Sequence, residues 1–324
     1  MTSIERREAP IGDGERMALV VGQRKSGSTW LLNLLSLHPE VRGVHETHLF
    51  QLTAANPDPD VRTAKLFART PWGAGGLRNL PLQRLLDAAP GALKRSRPAL
   101  LLRPDERPAS LLDLPLRDAL SLRRLLRAAD SADGYCRRFF AFLEDRLRPP
   151  RLLVEKSPSH VDYLERIRAL FPAAKLVAIH RDGRDAVVSD RFHRQAYEGG
   201  GWSLEESALL WRRAIEAELD FARRERLFIC SYEELHSRGS EVVAALLDYL
   251  GLASDPALVA DLCARSSFRH FSGRNPGQEA RGRFLRKGVV GDWRNHFTDD
   301  HRATFKELAG DLLVTLGYER DLSW

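Results

Sequence analysis

Lys25 stands in a run of small and hydroxylated residues, Gly22-Gln23-Arg24-Lys25-Ser26-Gly27-Ser28-Thr29. Such a run at the start of a helix can hold an anion. Backbone N–H groups and the helix dipole attract negative charge there. Ser26, Ser28 and Thr29 add hydroxyl donors. Gly22 and Gly27 have the spacing of the nucleotide-binding pattern GxxxxGK[ST], yet Ser28 occupies the lysine position and the lysine lies upstream at Lys25. In a triphosphatase the lysine beside the second glycine reaches the terminal phosphates, so ATP hydrolysis fits this loop poorly. A plain Ser/Gly turn with a solvated lysine has the same composition, and the loop alone leaves both readings open.

Two further cationic groups follow. Arg181 leaves an apolar run and Ser189 lies on the helix expected next. A guanidinium and a hydroxyl converging there would suit a phosphate, because the Arg fork matches phosphate oxygens. An ion pair with Asp182 or Asp185 is the structural alternative. Arg286-Lys287-Gly288 places two cations beside a glycine that permits close backbone approach to a phosphate. Lys156, in Glu155-Lys156-Ser157-Pro158, ends another short apolar run. A strand-end salt bridge would explain that pair equally well.

The elements needed to position these groups are legible as alternating strands and helices. Met17–Gly22 reads as a buried strand, Thr29–Leu37 as a helix stopped by Pro39. Leu152–Val154, Lys175–His180 and Leu227–Cys230 read as further strands. Ser159–Phe171, the segment from Gly183, Ser203–Arg224 and Glu241–Leu250 read as helices. The alternation predicts an α/β three-layer sandwich with a mostly parallel central sheet. Arg181 then sits at the carboxyl end of a strand, where open α/β sheets bind ligands. Residues 1–16 read as a disordered lead and 17–324 as one domain. Residues 51–135, rich in Pro, Arg and Leu, read as a largely helical insertion. The long polar stretch 269–298 reads as a lid loop.

Composition sets wider bounds. The chain has 324 residues, 43% hydrophobic and 29% charged, with net charge +6. That is globular composition with a preference for anionic partners. Cys136, Cys230 and Cys263 lack metal-site or disulfide-framework spacing, which points to a reducing, cytoplasmic setting. No secretory signal, membrane-spanning run, metal-ligand cluster or nucleic-acid motif is evident. The richness in Arg, Ala and Leu suggests a GC-rich bacterial genome.

QRKSGSTW resembles the 5′-phosphosulfate loop of sulfotransferases that use 3′-phosphoadenosine-5′-phosphosulfate (PAPS). LHPEVR followed by Glu46-Thr47 looks like the tyrosylprotein branch, and RKGVVGDWRNHFT is closely similar to a segment of the cytosolic branch. The resemblance spans about residues 17–316 with 51–135 unmatched. It implies a P-loop-like fold in which Arg24, Lys25, Ser26, Gly27, Ser28, Thr29 and Trp30 hold the 5′-phosphosulfate. Arg181, Ser189, Arg286, Lys287 and Gly288 would then bind the 3′-phosphate, and Tyr232, Ser266 and Phe268 the adenosine. Lys25 would stabilise the bridging oxygen and Lys156 would contact the sulfuryl group. Glu46 matches the catalytic base of the tyrosylprotein branch, although His48 replaces the Arg that follows it there. His160 and Glu155 are the other candidates for the base.

The expected activity is sulfuryl transfer from PAPS to an acceptor hydroxyl of a small-molecule alcohol, phenol or glycan. It would release adenosine 3′,5′-bisphosphate (PAP) and need no metal. The rivals are a P-loop kinase or NTPase and a non-catalytic PAP-binding protein. Sequence leaves acceptor and oligomeric state open.

Overall fold

The computed structural model describes residues 13–68, 108–109, 114–147, 151–199 and 201–324. Five strands form one sheet in the order β2-β3-β1-β4-β5. They are β1 (Met17–Gly22), β2 (Val41–Val44), β3 (Leu152–Lys156), β4 (Lys175–His180) and β5 (Phe228–Ser231). Every pairing is parallel. All five carboxyl ends therefore open on the same edge.

The sheet is covered on both faces, as a parallel sheet requires. Side chains alternate along β1. Met17, Leu19 and Val21 join a cluster with Phe139, Phe140 and Phe171. Ala18 and Val20 point the other way, into a cluster with Leu31, Leu35 and Leu246. A third cluster around Trp211, Phe305 and Trp293 ties the long helix Leu204–Ala222 to the C-terminal helix Asp299–Thr315.

Several expectations need correction. β2 was not anticipated, because VRGV is only four residues long and carries Arg42 and Gly43. The segment expected as one helix, 159–171, begins as a 3-10 turn at Pro158–Tyr163 and becomes α-helical only at Leu164–Leu170. Residues 13–16 are not a loose lead: the Asp13 carbonyl accepts the Ala173 N–H (2.8 Å) and Gly14 packs on Phe171 and Ala174. Residues 1–12 lie outside the described residues, as do 69–107 and 110–113 of the expected insertion. Its described parts include the helices Pro59–Phe67 and Leu116–Arg127. Residues 273–291 are turns and irregular chain between the helix Phe268–Ser272 and the 3-10 turn Asp292–Asn295.

Candidate active site

Each strand delivers one candidate residue to the common edge. β1 leads to Lys25, β2 to Glu46, β3 ends on Lys156, β4 leads to Arg181 and β5 to Tyr232. The cleft there has a volume of about 1420 Å³. Apart from Ser26, Glu155, Lys156 and His160, every residue proposed from sequence for binding or catalysis lines it.

The loop after β1 gets its shape from the backbone. Gly22 has φ 137°, and a Cβ there would stand 2.2 Å from the Ile179 carbonyl oxygen of β4. Gly27 (φ 98°) caps the helix Ser28–Ser36, and a Cβ there would meet the Tyr232 ring at 2.7 Å. Between them Lys25 adopts φ 71°, a left-handed conformation unusual for a side-chain-bearing residue. Its Nζ lies 3.4 Å from His193 Nδ1 and 4.8 Å from the Phe284 ring centre. Burial, with the neighbouring Arg24 charge, lowers the Lys25 ammonium to about 8, against the pull of Asp190 and Glu46. The same crowding acts on His193, which burial and the Lys25 charge lower to about 4. Ser26 Oγ is buried and finds no partner among the described residues. Arg24 turns to carboxylates instead, pairing with Asp190 (3.0 Å) and Glu198.

A second group of charges forms where β2 and β3 end. Lys156 is almost fully buried and donates to Thr29 Oγ1 (3.1 Å) and to Glu46 Oε1. The other Glu46 oxygen lies 3.1 Å from His48 Nε2, and His48 Nδ1 lies 3.1 Å from Ser159 Oγ. Burial pushes the Glu46 carboxyl up. The His48 and Lys156 hydrogen bonds and charges outweigh it and hold the group well below the usual carboxylate range. Lys156 itself is absent from the cleft wall, but it reaches the wall through Thr29 and Glu46.

Glu155 and His160 belong to the scaffold under this group. Glu155 accepts the Thr47 N–H (3.1 Å), the Thr47 hydroxyl (2.9 Å) and the Ser157 hydroxyl (2.6 Å). Ser157 Oγ in turn accepts the N–H groups of Thr47 and His48, both at 3.0 Å. This clamp holds the turn in which His48 adopts φ 51°. His160 is fully buried, 3.3 Å from Glu155 and edge-on to Phe50, so it does not reach the cleft. Its location corrects the expectation that it stands beside Lys156 as a base.

The third group lies at the far end. The Arg181 guanidinium stacks on Tyr232 at 4.3 Å and donates to Asp185 (3.1 Å) and the Val289 carbonyl (2.9 Å). Its Nε is buried without a partner among the described residues. Ser189 lines the cleft from the helix Gly183–His193. Lys287 (2.6 Å) and Arg286 both hold the buried Asp292. Burial raises the Asp292 carboxyl, but hydrogen bonds from Lys287, Asn295 and Arg286 hold it well below the usual range. Gly288 (φ 65°) lies against the Phe268 ring, which a Cβ would meet at 2.3 Å. Ser266 is buried with Oγ 3.3 Å from the Cys263 carbonyl, and Trp30 meets Tyr232 edge-on at 5.4 Å.

Comparison with known proteins gives the family and the fold. The sequence pattern of the sulfotransferase family matches residues 18–256. The chain belongs to that family. It is 25% identical to human Sulfotransferase 2A1 over 43% of this chain and 58% of that protein. The chain spans about half the length of the curated relatives it matches. Among solved structures, the sulfotransferase domain of the Synechococcus PCC 7002 olefin synthase superposes with TM-score 0.58 at 18% identity, covering 98% of this chain and 99% of that one. Mouse sulfotransferase SULT7A1, solved complexed with PAP, gives TM-score 0.53 at 14% identity, covering 99% and 93%. These structural likenesses show a shared fold.

The cleft also contains groups that the sequence did not single out. His193 follows Ser189 at i+4 on one helix, so helical periodicity could have found it. Asp292 lies inside the GDW string, beside the cations Arg286 and Lys287 that carry the anion-site reading, whereas Asp185, one of the two ion-pair partners considered for Arg181, does pair with it. Ser159 and Phe284 carry no sequence signal that separates them from surface residues.

Proposed function

We propose that this chain transfers the sulfuryl group of PAPS to an acceptor hydroxyl and releases PAP. The observation that carries the reading is the convergence of three cationic groups, distant in sequence, on one cleft at the carboxyl edge of a parallel sheet. The fit is supported by buried donors with no partner among the described residues, Ser26 Oγ and Arg181 Nε. Ser26 to Thr29 would hold the 5′-phosphosulfate. Arg181, Ser189, Arg286, Lys287 and Gly288 would hold the 3′-phosphate. Tyr232 and Phe268 would flank the base, with Trp30 and Ser266 completing that wall.

PAPS would supply an activated sulfuryl group on a good leaving phosphate. Lys25 is assigned to the oxygen where charge develops as the bond breaks. A cation held in a site shielded from water is most effective there. Lys156 is assigned to the sulfuryl oxygens, and Glu46 to the acceptor proton. While Lys156 grips it, Glu46 is a weak base. When Lys156 turns toward the sulfuryl group, that grip relaxes and the carboxylate becomes a better proton acceptor.

Gln51, Leu52, Ala55 and Leu66, from the helices Leu49–Ala55 and Pro59–Phe67, line the cleft on the Glu46 side. We assign the acceptor to this mixed apolar and polar wall, which suits a small-molecule alcohol or phenol or a short glycan. The same proposal treats 17–324 as one catalytic domain, the 51–135 insertion as the acceptor cover and 269–298 as the lid. It sets the enzyme in a bacterial cytoplasm, supported by three free cysteines of which two are buried. The test is competition for immobilised PAP. Free PAPS displaces the protein and ATP–Mg²⁺ does not; displacement by ATP–Mg²⁺ at equal concentration would favour a kinase-like protein.

A further inference from the structure

Asp185 lies in the first turn of the helix Gly183–His193 and is 2% exposed. Its carboxylate is shared between two parts of the chain more than a hundred residues apart in sequence. Oδ2 accepts from Arg181 Nη2 (3.1 Å) and from the Gly291 N–H (2.7 Å), and Oδ1 accepts from the Trp293 N–H (2.8 Å). The Arg181 group that meets Asp185 also donates to the Val289 carbonyl at 2.9 Å. Chain positions 289, 291 and 293 are therefore all tied to Arg181 or to Asp185. The residues just before them are Arg286, Lys287 and Gly288.

We propose that Asp185 is a positioning residue that couples the segment 286–293 to Arg181, so that the two halves of the 3′-phosphate pocket form together. This rests on the reading of the cleft as a PAP site. One buried carboxylate accepts from a guanidinium on one side and from two backbone N–H groups on the other. Charge-assisted bonds of this kind are the stronger ones. A phosphate gripped by Arg181 on one side and by Arg286 and Lys287 on the other needs both sides fixed relative to each other. Asp185 supplies that reference without touching the ligand. Its charge also lies next to Arg181, and a carboxylate acting only as a counter-ion would weaken phosphate binding. The two roles predict opposite signs.

Asp185→Asn keeps size, removes the charge and sets an NH₂ group against N–H donors. PAP carries the 3′-phosphate and 5′-AMP lacks it, so calorimetric titration with both separates positioning from general damage. The expected result is PAP affinity reduced about tenfold or more, as for loss of a charged hydrogen bond, with 5′-AMP affinity changed less than about twofold. Unchanged or tighter PAP binding, or equal losses for both nucleotides, overturns the proposal. Wild-type protein gives a second test that does not depend on the variant folding. PAP slows hydrogen exchange at the Gly291 and Trp293 amides and 5′-AMP does not; equal effects of the two, or none, overturn it. A wild type that binds no PAP defeats the underlying reading. A wild type that binds PAP alongside an unaffected D185N variant defeats only the coupling.

Discussion

The loop after β1 and the closing segment 273–291 both present cations to the same cleft, and they are built on different principles. The loop is shaped by backbone. Gly22 and Gly27 occupy conformations in which a Cβ would collide with β4 or with Tyr232, and Lys25 bears a left-handed φ itself. The closing segment is shaped by carboxylates. Asp292 holds Arg286 and Lys287, and Asp185 holds the chain beyond them. A backbone-built loop fixes one lysine closely, at the cost of about 1–3 kcal/mol for a strained residue. A carboxylate-built segment can exchange partners when a ligand arrives. Bond breaking is assigned to the backbone-shaped part, and the grip on the nucleotide's 3′-phosphate to the carboxylate-tied part.

The comparison breaks most visibly at Lys25. Lys25→Met should lower PAP release from PAPS about 10²–10³-fold, the usual scale for loss of one group that stabilises transition-state charge. PAP affinity should fall much less. A loss confined to PAP affinity would move Lys25 from chemistry to binding. Gly22→Ala tests the backbone argument itself. It should reduce unfolding free energy by about 2–4 kcal/mol in urea titrations, the range for a strained, overpacked site. Unchanged stability would mean that β1 and β4 accommodate a Cβ readily.

A pH series sharpens the contrast. Lys25 lies near 8 in the free protein. Bound phosphate favours the protonated form, so binding takes up a proton above that pH. PAP affinity should fall modestly as pH rises through 8 and then level off near the affinity of Lys25→Met, because a neutral lysine and a methionine lack the same charge. Lys25→Met should flatten this limb. A limb that persists in the variant would assign it to another group. The smallest effect is expected at Arg24. Asp190 and Glu198 already neutralise it, so Arg24→Ala should change PAP affinity only about two- to threefold, the scale of an exposed ion pair. A larger loss would place Arg24 on the ligand.

What could be read from sequence follows the same divide. The apolar runs MALVVG and KLVAIH announced buried strands, and the Gly/Ser run after the first announced an anion site. These signals are local, as backbone chemistry is. Side-chain partnerships across the fold were invisible. The clamp of Thr47 by Glu155 joins residues 108 apart, and the tie from Asp185 to Trp293 joins residues 108 apart as well. His160 was a candidate base only by its nearness in sequence to Lys156, and nearness in sequence does not show which way a side chain faces. His160 lies in the 3-10 turn Pro158–Tyr163 with its imidazole buried edge-on to Phe50. β2 escaped because a four-residue strand containing Arg and Gly has no periodicity to detect.

The central claim is that three separate cationic groups serve one bisphosphate nucleotide. Calorimetric titration of purified protein with PAP, wild type beside Arg181→Ala, tests it most directly. The wild type should bind in the micromolar range or tighter, and the variant should lose about a hundredfold or more, as for a buried charge partner of phosphate. A wild type that does not bind PAP, or a variant that binds it equally well, would rule out a single bisphosphate nucleotide held by these cations.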